Sequence, residues 1–244
     1  MSLHDLFASL LLFAYYIVAC LVLPLVLKAT RWIPLEVVRK TQHIGFCMSI
    51  FPLLLLFDTW HAAVLGMSLL ALVAYPVLGL LEKASWYGRV FSMDRERGGG
   101  ELRKSMIVIQ LTYAVLLYVF WGLLDGRGKP VIAAAVTAWG FGDAAAAIVG
   151  TRYGRRRVAH RLVDAAKTWE GSIAMGVCAG IALFLTLALY GRIDWRTSLL
   201  IALALAPACS AIELLSRNGS DTVTVPLVTA FLLLPILQWV DRVV

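Results

Sequence analysis

Apolar residues gather along the chain into blocks roughly as long as a bilayer is thick, parted by short polar stretches. About 20 mostly apolar residues carry a helix across the hydrocarbon core. Eight blocks qualify as predicted spans: 6–27, 41–57, 60–81, 106–124, 131–150, 172–190, 198–215 and 223–240. The second is the weakest, because its continuous apolar part, 44–57, is short enough to be re-entrant and Pro52 interrupts it. The first has no basic residue ahead of it and no small-residue cleavage site, and it exceeds a signal-peptide core, so it reads as a retained span. The predicted fold class is therefore all-α: a polytopic membrane protein of about eight transmembrane helices, forming one integral-membrane domain over 1–244.

Composition supports that reading. Of 244 residues 61% are hydrophobic and 15% charged, more apolar surface than a soluble domain of this length hides from water. The net charge of +7 raises nucleic acid as a partner, but the placement of the cations argues against it. With eight spans, the loops 28–40, 82–105, 151–171 and 216–222 lie on one side and carry 17 of the 22 Lys and Arg residues; the other side carries 5. With seven spans the division falls to 13 against 9. Positive-inside asymmetry favours eight spans, the cation-rich loops in the cytoplasm and both termini opposite. Topology explains the charge, and no nucleic-acid partner is expected.

The polar stretches sort to that same face. Asp143 falls about two turns from the cytoplasmic end of the fifth span, inside "WGFGDAAAAIVGTRYGRR", and "KTWEGS" (167–172) opens the sixth. "VVRKTQHIG" (37–45), "RERGGGELRKS" (95–105) and "SDTVTVPL" (220–227) precede the second, fourth and eighth spans. The loop 82–105, with Gly98 to Gly100, is either a lid or a polar connection. Cys20, Cys47, Cys178 and Cys209 stand singly in apolar runs without metal-type spacing and read as buried thiols.

Ionisable groups at membrane depth are costly and have a partner or a task. Asp143 either pairs with an arginine such as Arg152 or Arg155 or faces a ligand; the glycines and alanines around it admit a ligand or a neighbouring helix equally. If helical, Lys167 and Glu170 share a face at a helix N-terminus, where unpaired N–H groups favour anions. One reading makes Glu170 a capping carboxylate and Lys167 a topology signal. The other seats a phosphate between them, with Asp143 and Glu170 holding Mg²⁺ through oxygen ligands. Glu213 pairs with Arg217 four residues on, or serves as a third acidic ligand. Asp221 or a neighbouring threonine caps the eighth span, or Asp221 joins the ligands. Arg39 and Lys40 suit phosphate, and His43 is either a general base or an interfacial hydrogen-bonding residue. Neither a Walker-type loop nor a His-Arg-Asp kinase signature occurs.

"FGDAAAAIVGTRYGRR" followed by "AKTWEGS" resembles the shared core of the polyprenol kinase and phosphatidate cytidylyltransferase superfamily, over roughly 37–227. "RKTQH" and "SDTVTVPL" are similar to the phytol kinase and dolichol kinase branch. The chain has Asp221–Thr222 where that branch commonly has Asp-Asn, and the cytidylyltransferase's C-terminal signature is absent. The resemblance implies a membrane-embedded enzyme that uses CTP, or another nucleoside triphosphate, with Mg²⁺ to phosphorylate a long-chain alcohol such as phytol, farnesol or a polyprenol. Asp143, Lys167 and Glu170 would be its catalytic residues. Arg39, Lys40, Arg155, Arg156, Thr168, Gly171 and Ser172 would lie along the nucleotide's phosphates, and His43 and Asp221 near the lipid hydroxyl. Phosphatidate cytidylyltransferase activity and a non-enzymatic transporter are the alternatives. An oligomer is compatible with all three.

Overall fold

Bilayer-length helices need every backbone polar group satisfied within the protein, and the architecture follows from how each helix meets that demand. The computed structural model describes residues 2–83, 101–161 and 163–243. Its helices are α1 (Leu3–Ala29), α2 (Leu35–Met48), α3 (Ile50–Leu56), α4 (Trp60–Leu81), α5 (Glu101–Leu116), α6 (Lys129–Tyr153), α7 (Trp169–Leu185), α8 (Trp195–Leu215) and α9 (Asp221–Val243). Wider π-type turns lie within α1 at Tyr16–Val22, after α5 at Leu117–Gly122 and after α7 at Thr186–Tyr190. Among the described residues seven helices are long and apolar enough to cross a membrane. The predicted second span is the one divided, between α2 and α3. Most of the loop 82–105, including its three glycines, lies outside the described residues.

The chain forms two compact units, Met1–Tyr118 and Val119–Val244. In the first, the division of the second span follows from Pro52, which lacks an N–H and whose ring crowds the carbonyl four residues back. The helix breaks at Ser49, and the carbonyls around the break find other donors. The Ser49 hydroxyl donates to Phe46 O at 2.6 Å, and the Tyr113 hydroxyl reaches Phe46 O at 3.0 Å and Cys47 O at 3.1 Å. In α1 the residue four beyond Cys20 is Pro24, which has no N–H to give, and the Cys20 carbonyl accepts from Gln42 Nε2 at 2.8 Å. Gly45 sits against the backbone of Ala19, where a Cβ would come within 2.8 Å of the Ala19 carbonyl oxygen.

In the second unit α6 is the hub. From Val131 to Gly140 every residue is buried, as expected of a helix surrounded by others. It packs on α7, α7 on α8, α8 on α9, and α9 returns to α6. Lipid offers no hydrophobic drive between helices, so close packing and interhelical hydrogen bonds hold them. Small residues allow the approach: Gly142 faces Met175 and Ala179, while Gly180 faces Ala206. Thr137 and Thr186 hydroxyls meet at 2.9 Å inside the α6–α7 seam. Asp194 caps α8 by accepting from Arg196 N at 2.9 Å and Thr197 N at 3.3 Å. Hydrogen bonds from Thr197 hold its carboxyl below the ordinary range.

Replacing Gly142 with leucine tests the α6–α7 seam. The first added carbon alone would lie 3.0 Å from Met175 Cε and 3.2 Å from Ala179 Cβ. Gly142→Leu is expected to destabilise the protein by about 1–3 kcal/mol, read as a lowered unfolding midpoint in detergent.

Candidate active site

The connection from α6 to α7 begins where Gly154 N donates to Gly150 O and ends α6. The chain then doubles back as a short hairpin, with Arg157 bridged to Thr168. Val158 N bonds Lys167 O at 3.0 Å and Trp169 N bonds Arg156 O at 3.0 Å. Val158 and Val163 are its buried feet, whereas Arg155, Arg156, Arg157 and Arg161 are exposed. Thr168 is the N-cap of α7, its hydroxyl accepting from Gly171 N at 3.2 Å. Tyr153 and Trp169 flank the hairpin and are 58% and 51% exposed on the unit's outside. Aromatic rings in that position mark the membrane–water interface.

Asp143 lies in α6, half-buried, ten residues before its end, or about 15 Å along the axis. One turn closer to that end, the Ala146 carbonyl faces Gly171, where a Cβ would lie 3.0 Å from the oxygen and 3.4 Å from Gly150 Cα. Asp143 and the start of α7 therefore belong to the same half of the same helix pair. Glu170 stands in the first turn of α7, and its carboxylate accepts from Arg156 N at 3.3 Å, tying helix to hairpin.

Lys167 departs from the sequence expectation. It precedes the N-cap, so it shares no helical face with Glu170. Its ammonium crosses to the end of α8, donating to Glu213 Oε1 at 2.7 Å and to the backbone carbonyl of Glu213. Both side chains are largely buried, 18% and 10% exposed. The expected Glu213–Arg217 pair is thereby corrected. Backbone at Ser216 turns extended (φ −74°, ψ 132°), so α8 stops at Leu215 and Arg217 is off the helix that a four-residue spacing requires. The exchange is electrostatically sensible: a cation is unfavourable at the N-terminus of α7 and favourable at the carbonyl end of α8. A second bond, Ser210 Oγ to Ser172 O at 2.7 Å, joins the same helices beside it.

The open N–H groups expected at the start of α7 are mostly in use. Trp169, Gly171 and Ser172 amides all have protein acceptors. The Thr168 hydroxyl is the cap and the Ser172 hydroxyl donates to Thr168 O at 3.2 Å, so both serve the helix start. Asp221 is the first residue of α9, following a turn through Asn218 and Gly219 at positive φ, and Ser216 and Thr224 hydroxyls close that turn at 2.6 Å. Asp143, Lys167, Glu170, Glu213 and Asp221 all belong to the second unit, Lys167 in the α6–α7 hairpin and the others on helix ends or halves toward that hairpin or the α8–α9 turn. Arg39, Lys40 and His43 belong to the first unit, on α2. There Arg39 forms an ion pair with Glu36 at 2.6 Å, Lys40 is buried, and His43 is half-buried.

No group of three or more His, Cys, Asp or Glu residues able to hold a metal ion occurs among the described residues. Mg²⁺ does not require one, since it commonly takes one or two carboxylates together with substrate phosphates and water. Asp143 and Glu170 are hard oxygen donors of that kind. Glu213 is engaged by Lys167.

The Lys167–Glu213 pair sets its own test. Lys167→Met leaves a buried carboxylate without its cation, and stability should fall by about 3–5 kcal/mol. Adding Glu213→Gln should recover part of that loss. Unfolding midpoints of the two single variants and the double variant in detergent measure the coupling.

No family model matches the chain, and no solved structure matches it. Among curated proteins, it is 31% identical over 207 residues to a phytol kinase of Synechocystis, an alignment covering 82% of this chain and 78% of the relative. The motifs quoted from its sequence and this extended identity agree: the chain belongs to the polyprenol and phytol kinase family.

Proposed function

We propose that the protein is a lipid kinase that transfers the terminal phosphoryl group of CTP to the hydroxyl of an isoprenoid or other long-chain alcohol. The observation that carries this reading is the identity with a phytol kinase over most of both chains. Its support from chemistry is that Asp143, Lys167 and Glu170 lie in the same half of the α6–α7 pair, toward the end of the unit that the exposed arginines and the Tyr153–Trp169 aromatics mark as interfacial. An alcohol whose chain lies in the bilayer presents its hydroxyl at that level.

Phosphoryl transfer asks little covalent chemistry of a protein; it asks for positioning and charge neutralisation. In the proposed reaction the alcohol oxygen forms a bond to the terminal phosphorus as the bond to the CDP oxygen breaks. The hydroxyl proton leaves to Asp143 or Asp221, both of the second unit. Lys167 offers its ammonium to the phosphates, and the hairpin arginines Arg155 and Arg156 supply further positive charge. Mg²⁺, when bound, neutralises phosphate charge, and Asp143 and Glu170 would hold it.

The site end is proposed to face the cytoplasm, where nucleotide is available. Whether or not the segment 41–57 crosses the membrane, the loops 151–171 and 216–222 stay on the cation-rich side, with 17 or 13 of the 22 Lys and Arg residues.

Purified protein incubated with CTP labelled at the terminal phosphate, Mg²⁺ and a panel of phytol, farnesol, polyprenol and diacylglycerol is expected to give labelled lipid phosphate and CDP. Formation of a CDP-lipid with pyrophosphate would instead assign a cytidylyltransferase, and absence of any nucleotide turnover would remove the enzyme reading. Asp143→Asn, close in shape and lacking the charge, should lower kcat by about 100-fold or more while the unfolding midpoint holds.

A further inference from the structure

The lysine is held by a residue outside the motif that contains it. An ammonium has three N–H donors. The carboxylate and the backbone carbonyl of Glu213 take two of them, and among the described residues the third has no protein acceptor. Long lysine side chains carry large rotamer freedom, and a lysine next to a helix N-terminus is pushed outward by the dipole. Neither applies to Lys167, because the last turn of α8 grips its tip. That turn is itself fixed. Ser210, three residues before Glu213 and so on the same face, donates to the Ser172 carbonyl of α7. The extended backbone at Ser216 ends α8 immediately afterwards.

We infer that Glu213 is a positioning residue for the proposed phosphoryl transfer: it fixes the Lys167 ammonium so that its remaining N–H is directed to a nucleotide phosphate oxygen. This rests on the kinase reading. Glu213 need not touch nucleotide or metal to matter, since it acts through Lys167. Its carboxylate also offsets the lysine's charge while the site is empty, keeping a buried cation tolerable until phosphate arrives.

The experiment is a kinetic series on the full chain in detergent, with CTP, Mg²⁺ and the alcohol that wild type phosphorylates. Glu213→Gln keeps an acceptor for Lys167 and should lower kcat/KM for CTP by about 10-fold; Glu213→Ala should lower it by about 100-fold, as displaced catalytic groups do. KM for the alcohol should not move. In a Lys167→Met background, Glu213→Ala should bring no further loss of the protection against thermal unfolding that CTP with Mg²⁺ confers. Wild-type turnover with unchanged kcat/KM in both Glu213 variants would overturn the inference alone and leave the pair a helix tie. Equal losses from Glu213→Ala with and without Lys167 would also overturn it. A wild-type chain that forms no lipid phosphate from CTP would overturn the kinase reading, and this inference with it.

Discussion

Close approach between α6 and α7 is the constraint on which the second unit depends. Met175 and Ala179 press on Gly142, Gly171 sits on the carbonyl of Ala146, and Gly150 meets the cap residue Thr168. At such separations the chain between the helices has little slack, so it folds back as a hairpin bonded to the first turn of α7 through Val158, Lys167, Arg156 and Trp169. Three of the chemically notable groups on this end take their positions from that seam. Asp143 sits one turn beyond the Ala146–Gly171 contact, Glu170 bonds the hairpin, and Lys167 is delivered to the neighbouring helix.

Helix ends then distribute the charge. Carboxylates favour the N-terminal end of a helix and cations the C-terminal end. Glu170 in the first turn of α7 and Lys167 on the last turn of α8 both obey, although they are three residues apart in sequence. In water such placements are worth fractions of a kcal/mol; at the largely buried Lys167–Glu213 pair an unmatched charge costs several. A buried ion pair of this type is weak evidence for stability as such. It is better understood as a device that fixes where one cation is.

The first unit meets the backbone demand differently. Pro52 interrupts its second helix, and hydroxyls from Ser49 and Tyr113 take up the carbonyls around the break. In α1 Pro24 has no N–H for the Cys20 carbonyl, and Gln42 supplies the donor. Irregular backbone at membrane depth is tolerated where protein satisfies it, and α2, which carries Arg39, Lys40 and His43, is the helix these bonds secure. Arg39 is neutralised there by Glu36 on the same helix.

The spans were legible in the sequence because bilayer thickness imposes a length and lipid imposes a composition, and the observed helix ends fall close to those expected for 60–81, 131–150, 172–190 and 198–215. The weakness of 41–57 was legible too, in Pro52. That Asp143 and Glu170 belong to one end of the molecule followed from counting spans between them. The partner of Lys167 did not follow. Local spacing ranks neighbours three and four residues away; it put Lys167 and Glu170 on one helical face and paired Glu213 with Arg217. An N-cap at Thr168 and an extended turn at Ser216 removed both from their helical faces, and α8 brought together groups 46 residues apart. Hydrophobic length and charge bias are properties of a segment and can be read one segment at a time. Which cation meets which carboxylate depends on where separate helices stop against one another, and only the packed tertiary structure decides that.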